Sequence, residues 1–153
     1  MVYLRKILVT TDLSDYSLAA VEYAASFGLL YSSTLHLLHV VDSKEGHRLH
    51  SDAEAHRMLE EFVAANVNPD IRFIPVVRMG HPAEEVCRFA EEEGVDLVIV
   101  ATHGRTGLRH ILLGSVAEKI VRLSSAPVLT VKPHSLRESI IRNEDVEKDL
   151  HLR

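Results

Sequence analysis

The chain has 153 residues, 46% of them hydrophobic and 25% charged, with a formal net charge of −5 and a single cysteine. That balance suits one globular core; it excludes global disorder, an internal disulfide and the basic face that duplex nucleic acid requires. No apolar run is long enough to span a bilayer, and Met1 to Ile7 lacks the basic-then-apolar order of a signal peptide, so a cytoplasmic protein with no membrane partner is expected.

Ile7-Leu8-Val9-Thr10 reads as a buried strand, and Thr11-Asp12-Leu13-Ser14 as the polar lead-in to a helix. In that helix Val21, Ala24, Ala25 and Gly28 share one face. Leu35 to Val41 is a second strand. Ser51-Asp52-Ala53-Glu54 fits a capping box, with Ala55, Met58, Leu59 and Phe62 as the apolar stripe behind it and Asn68-Pro69 as the stop. Ile71 to Arg78 is a third strand, and Pro75 inside it predicts a sheet edge because proline donates no ladder hydrogen bond. Pro82 starts a third helix with Ala83, Val86, Cys87 and Ala90 on its apolar face, and Gly94 ends it. Asp96 to Ala101 is continuously apolar, as in a central parallel strand. A helix from about Ser115 to Ser125 and a strand from Val128 to Val131 follow.

Strict alternation of strand and helix predicts a doubly wound, Rossmann-like α/β fold: a five-stranded parallel sheet with helices on both faces. Pro75 at an edge favours the strand order 3-2-1-4-5. Beyond Pro133 the chain carries five acidic and four basic residues among a few apolar ones, and both a short helix capped at Ser135 and a solvated tail fit that pattern.

In such a sheet, ligands sit beyond the carboxyl ends of the strands where the winding reverses, here between strands one and four. Thr10-Thr11-Asp12 and the loop from Ala101 to Ser115 meet there. Gly104 and Gly107 would let backbone amides approach an anion and adopt positive φ. Gly114-Ser115 opens a helix whose free amides favour negative charge, and Arg105 adds a cation. The same residues also fit plain turns, and Ser115-Val116-Ala117-Glu118 reads as a capping box. No G-x-G-x-x-G follows the first strand and no G-x-x-x-x-G-K-[ST] occurs, which excludes the usual dinucleotide fingerprint and the P-loop. The histidines form no metal set: His36 and His39 point to opposite strand faces, His47 and His50 fall in a loop, and His56 is on a helix. Cys87 reads as a core residue.

From Arg5 to Pro133 the chain resembles the universal stress protein family in its ATP-binding branch. The likeness rests on the spacing Ala101-x2-Gly104-x9-Gly114-Ser115, on Leu112-Leu113-Gly114-Ser115-Val116-Ala117-Glu118 and on Ala126-Pro127-Val128-Leu129. Alanine stands at position 101 where the branch has the first glycine of G-x2-G-x9-G-[ST]. The resemblance implies a nucleotide-binding domain over residues 1–133, with 134–153 as a tail. It implies an adenine nucleotide (ATP, ADP or AMP) as ligand and a regulatory or stress-response role. Thr10, Thr11 and Asp12 match the family's segment after strand one, and Val40 matches the residue that pairs with the adenine edge. Val100 and Ala101 would border the ribose. The amides from Gly104 through Arg105 and Thr106 to Gly107, together with Ser115 and Val116, would hold the phosphates, with His103 and Gly114 in the same loop. Asp12 beside phosphates would call for Mg²⁺ or Mn²⁺ between them. The resemblance also implies a homodimer through Val128 to Val131, an exposed apolar edge being prone to pairing. Two competing readings are a slow ATP-hydrolysing enzyme and a dimeric interaction module whose nucleotide site has decayed.

Overall fold

A computed structural model of the chain describes residues 1–44, 51–104 and 113–135. Strands and helices alternate as β1 (Lys6–Thr10), α1 (Leu18–Tyr31), β2 (Thr34–Asp42), α2 (Asp52–Asn66), β3 (Phe73–Gly80), α3 (Pro82–Glu92), β4 (Leu97–Ala101), α4 (Ser115–Leu123) and β5 (Val128–Val131). The five strands form one parallel sheet in the order β3-β2-β1-β4-β5. The doubly wound architecture read from the sequence is the observed one.

The central strands explain the order. Leu8, Val9, Val98 and Ile99 are completely buried, so β1 and β4 are covered on both faces. Alternate residues feed two cores. Ile7 and Val9 join Ala20 and Ala24 of α1 and Leu59 and Phe62 of α2. Leu8 and Val98 join Val86 and Phe89 of α3 and Ile120 of α4. Helices α1 and α2 therefore cover one face of the sheet, and α3 and α4 the other. Each fully buried aliphatic side chain contributes about 1.5–3 kcal/mol relative to exposure.

Local signals in the sequence act as expected at several termini. The Ser51 hydroxyl caps α2 by accepting the Glu54 N–H at 3.2 Å. Pro82 occupies the first turn of α3. Pro75 lies in β3, at the sheet edge, in register with Leu37. Three boundaries differ from the sequence reading. β3 begins at Phe73, because the Ile71 N–H is drawn back to the Asn68 carbonyl at 2.9 Å in a turn. α1 begins only at Leu18, after a 3-10 turn over Asp15–Ser17. α4 ends at Leu123, short of Ser125. Cys87 is half-buried at the rim of the second core, whereas Phe89, absent from the predicted stripe, is buried in it. Among the described residues no helix is long and apolar enough to cross a membrane.

Candidate functional site

Chain direction around the sheet reverses between β1 and β4, leaving a crevice at their carboxyl ends. A cavity of about 940 Å³ opens there, at the upper end of the range for small-molecule sites. Of the residues singled out from the sequence, Thr10, Thr11, Asp12, Val40, Val100, Ala101, His103, Gly104, Gly114, Ser115 and Val116 all line it. Arg105, Thr106 and Gly107 lie outside the described residues, as do His47, His50 and the tail from Leu136.

The β1 end is held by short-range polar contacts. Thr11 is buried, with its Oγ1 2.7 Å from the Ser17 hydroxyl and accepting the Leu13 N–H at 2.9 Å. Asp12 Oδ1 accepts the Ser14 N–H at 3.0 Å and the Ser14 hydroxyl. Leu13 between them takes a left-handed conformation, φ 66°, which a branched residue adopts only when its surroundings enforce it. The carboxylate is thus fixed in a tight turn at the cleft and caps neither the 3-10 turn nor α1. From β2, His39 Nδ1 lies 3.0 Å from the Thr11 carbonyl. Because a carbonyl only accepts, Nδ1 carries the proton.

The loop after β4 supplies the opposite wall. Ala101 is the last residue of β4, in register with Val131 and without positive φ, so an alanine fits where the family motif has glycine. Gly104 also lacks positive φ, contrary to one role expected of it. Its need for glycine is spatial: a Cβ there would lie 2.8 Å from Asp12 Oδ2. Gly114 is the N-cap of α4, with no side-chain capping bond. The expected Ser115 capping box is therefore not formed; Ser115 is the first helical residue, exposed, and lines the cavity. The Gly114 N–H donates to the Thr102 carbonyl at 2.6 Å, and a Cβ on Gly114 would lie 3.0 Å from that oxygen. The buried His103 ring is braced by Thr102, Nδ1 to Oγ1 at 2.7 Å.

Two kinds of wall result. Val40, Val41, Met58, Val86 and Val100 give the cavity apolar lining, while Ser115 and Val116 bring the amino end of α4, with its free amides, to it. Chemically this suits a flat apolar ring carrying an anionic arm. Met58 and Ala55 of α2 and His39 of β2 were not foreseen as lining residues; Met58 was legible only as part of a helix stripe. Among the described residues, no cluster of three potential metal ligands occurs. The marked pKa shifts fall outside the cleft. Burial pushes the His36 imidazole down, opposed by Glu93 and reinforced by Lys6. Burial raises the Cys87 thiol, and hydrogen bonding to Arg78 lowers the Glu92 carboxyl.

An open parallel sheet with a small-molecule cleft at its switch point, closed on one side by a helix amino end, places the chain among the nucleotide-fold α/β proteins. The chain belongs to the universal stress protein family, whose family model matches residues 4–132. It is 32% identical to universal stress protein MJ0577 of Methanocaldococcus jannaschii over 153 aligned positions, covering 84% of this chain and 94% of that protein. It is 30% identical to universal stress protein YxiE of Bacillus subtilis, covering 83% and 98%. The solved structure of MJ0577 superposes with a TM-score of 0.73 over 86% of this chain and 97% of that one, at 33% identity. A universal stress protein solved in complex with cAMP superposes with a TM-score of 0.65, at 25% identity, over 86% of this chain and 98% of that one.

Proposed function

We propose that this universal stress protein binds an adenine nucleotide, ATP in particular, and that occupancy serves a regulatory or stress-response role in the cytoplasm. The observation that carries the reading is the cleft itself, lined both by apolar side chains such as Val40, Met58 and Val100 and by the amino end of α4 at Ser115 and Val116. The cAMP complex of a structural neighbour supports the choice of an adenine ring. In this reading the Val40 backbone meets the adenine edge, and Val100 and Ala101 border the ribose. The amides of Gly104 to Gly107, Ser115 and Val116 take the phosphates, with the Ser115 hydroxyl assisting. Asp12 reaches the phosphates through Mg²⁺ or Mn²⁺. Binding of this kind stabilises the fold by mass action. The test is to denature freshly purified protein and identify the released small molecules by mass spectrometry. ATP, ADP or AMP is expected. No released nucleotide, together with no heat in a titration at millimolar ATP, would overturn the reading.

We further propose a homodimer through β5. That strand is a sheet edge, and the neighbouring α4 exposes Val121 and Leu123 at 48% and 56%. Light scattering is expected to return twice the 17.1 kDa chain mass; a monomer at working concentrations would refute it.

A further inference from the structure

A helix at a protein surface ordinarily turns a charged face outward. In α1, from Leu18 to Tyr31, the only charged residue is Glu22. The outward positions hold Tyr23, Ser26, Leu29, Leu30 and Tyr31, with Leu30 74% exposed and Leu29 69%. Tyr23, Phe27 and Tyr31, each four residues from the last, form a row of edge-on rings with centroids 6.2 and 6.1 Å apart. Past the carboxyl end of α1 the exposed apolar surface continues at Val2 and Tyr3. They are held near it because the Ser33 hydroxyl donates to the Leu4 carbonyl and the Thr34 N–H to the Arg5 carbonyl.

The chain leaves the sheet beside this face. Val131 of β5 shares a core with Ala20 and Ala24 of α1, and Pro133 is buried. His134 Nε2 lies 2.8 Å from Glu22 Oε2, and because an ionised carboxylate only accepts, Nε2 carries the proton. This contact pins the root of the tail next to Tyr23, at the amino end of the aromatic row, and engages the one charge of α1. A helix over residues 136–150, at 100° per residue, would put Leu136, Ile140, Val146 and Leu150 within an arc of about 120°. Of the charged residues in that span, only Glu147 shares the arc. Such a helix is about 22 Å long, against about 12 Å from Tyr23 to Tyr31 and the further reach to Val2 and Tyr3.

We infer that residues 136–150 fold back as an amphipathic helix onto the outer face of α1 of the same chain, with the His134–Glu22 contact setting the start of the docked segment. Leu136 and Ile140 then meet the row from Tyr23 to Leu30, and Val146 and Leu150 meet the surface of Val2 and Tyr3. The driving force is the apolar area of both partners removed from water. Docking within the chain is favoured over docking between chains because the root of the tail is already in place, which gives the rest a high effective concentration at α1.

The experiment is hydrogen exchange of the full chain, read by mass spectrometry, for the wild type, Leu30→Asp and Leu30→Met. Position 30 is exposed, so both variants should fold, which exchange in β1 and β4 checks. In the wild type the amides of residues 136–150 are expected to exchange about tenfold or more slower than those of a free peptide of the same sequence. Leu30→Asp sets a carboxylate in the apolar contact and should return them to within about twofold of the free peptide, whereas Leu30→Met should keep the protection. Isotopically labelled wild type, refolded with a large excess of the Leu30→Asp chain, should keep its tail protection, since its own α1 is intact. Tail amides at the free-peptide rate in the wild type, or protection that survives Leu30→Asp, would overturn the inference. Loss of the labelled chain's protection in the mixture would assign the face to a second copy and overturn it equally.

Discussion

Gly114→Val is expected to weaken ATP binding by about tenfold or more, a loss of about 1.4 kcal/mol. Gly114 caps α4 and donates its N–H to the Thr102 carbonyl at 2.6 Å. A Cβ would stand 3.0 Å from that oxygen, a backbone atom that cannot rotate aside. Valine adds two further methyls at the same point, so the loop and the start of α4 must separate. The separation moves the Ser115 and Val116 amides away from the ligand, which costs affinity directly. Strain of this kind also destabilises by about 1–3 kcal/mol. Titration calorimetry measures the first effect and urea denaturation the second; unchanged ATP affinity in a folded variant would refute the argument.

His36→Leu is expected to raise stability, and to raise it more as pH falls. His36 is 7% exposed, its Nδ1 has no hydrogen-bond partner among the described residues, and its ring packs edge-on against Phe89 at 5.4 Å. An unsatisfied buried polar atom costs about 1–3 kcal/mol, so leucine should gain about 1 kcal/mol or more at pH 7.5. Burial holds the folded pKa below the ordinary 6.5, although Glu93 pulls it up while Lys6 adds to the depression. Arg78 lies 5.1 Å from the centroid of the same Phe89 ring. Above pH 6.5 the imidazole is neutral in both the folded and the unfolded chain and contributes no pH dependence. Below it the unfolded chain takes up the proton first, so wild-type stability falls until the folded pKa is passed. The leucine variant lacks this contribution. Urea denaturation from pH 7.5 to 5 should show the gap between the two proteins widening below pH 6.5, and a constant gap would contradict the account.

Much of the architecture could be read from residue order because each local signal agreed with the global one. The apolar run ending at Ala101 marked a central strand, and Pro75 alone identified an edge. Those features favoured, without fixing, the order that the sheet has, and given that order the place of the cleft followed before any motif was considered. The misjudged details depended on neighbours distant in sequence or on competing backbone bonds. Gly104 was read as admitting an anion and a positive φ; it lacks the positive φ, and its lack of a side chain makes room for Asp12, 92 residues earlier. Ser115 fits a capping pattern, yet the Thr102 carbonyl places the helix cap one residue earlier. Met58 and His39 line the cleft only because α2 and β2 bring them to the same end of the sheet as β4.

The sheet keeps the two helical layers apart, but the cleft lies above its rim and draws walls from both. Ala55 and Met58 come from the α1–α2 layer; Val86, Val116 and Ala117 come from the α3–α4 layer. A molecule seated there touches both without passing through the strands. It would act as a rivet, making the slow opening of either layer conditional on release of the ligand. Hydrogen exchange in α2 and in α4 should then slow together on binding, although the two helices belong to separate cores.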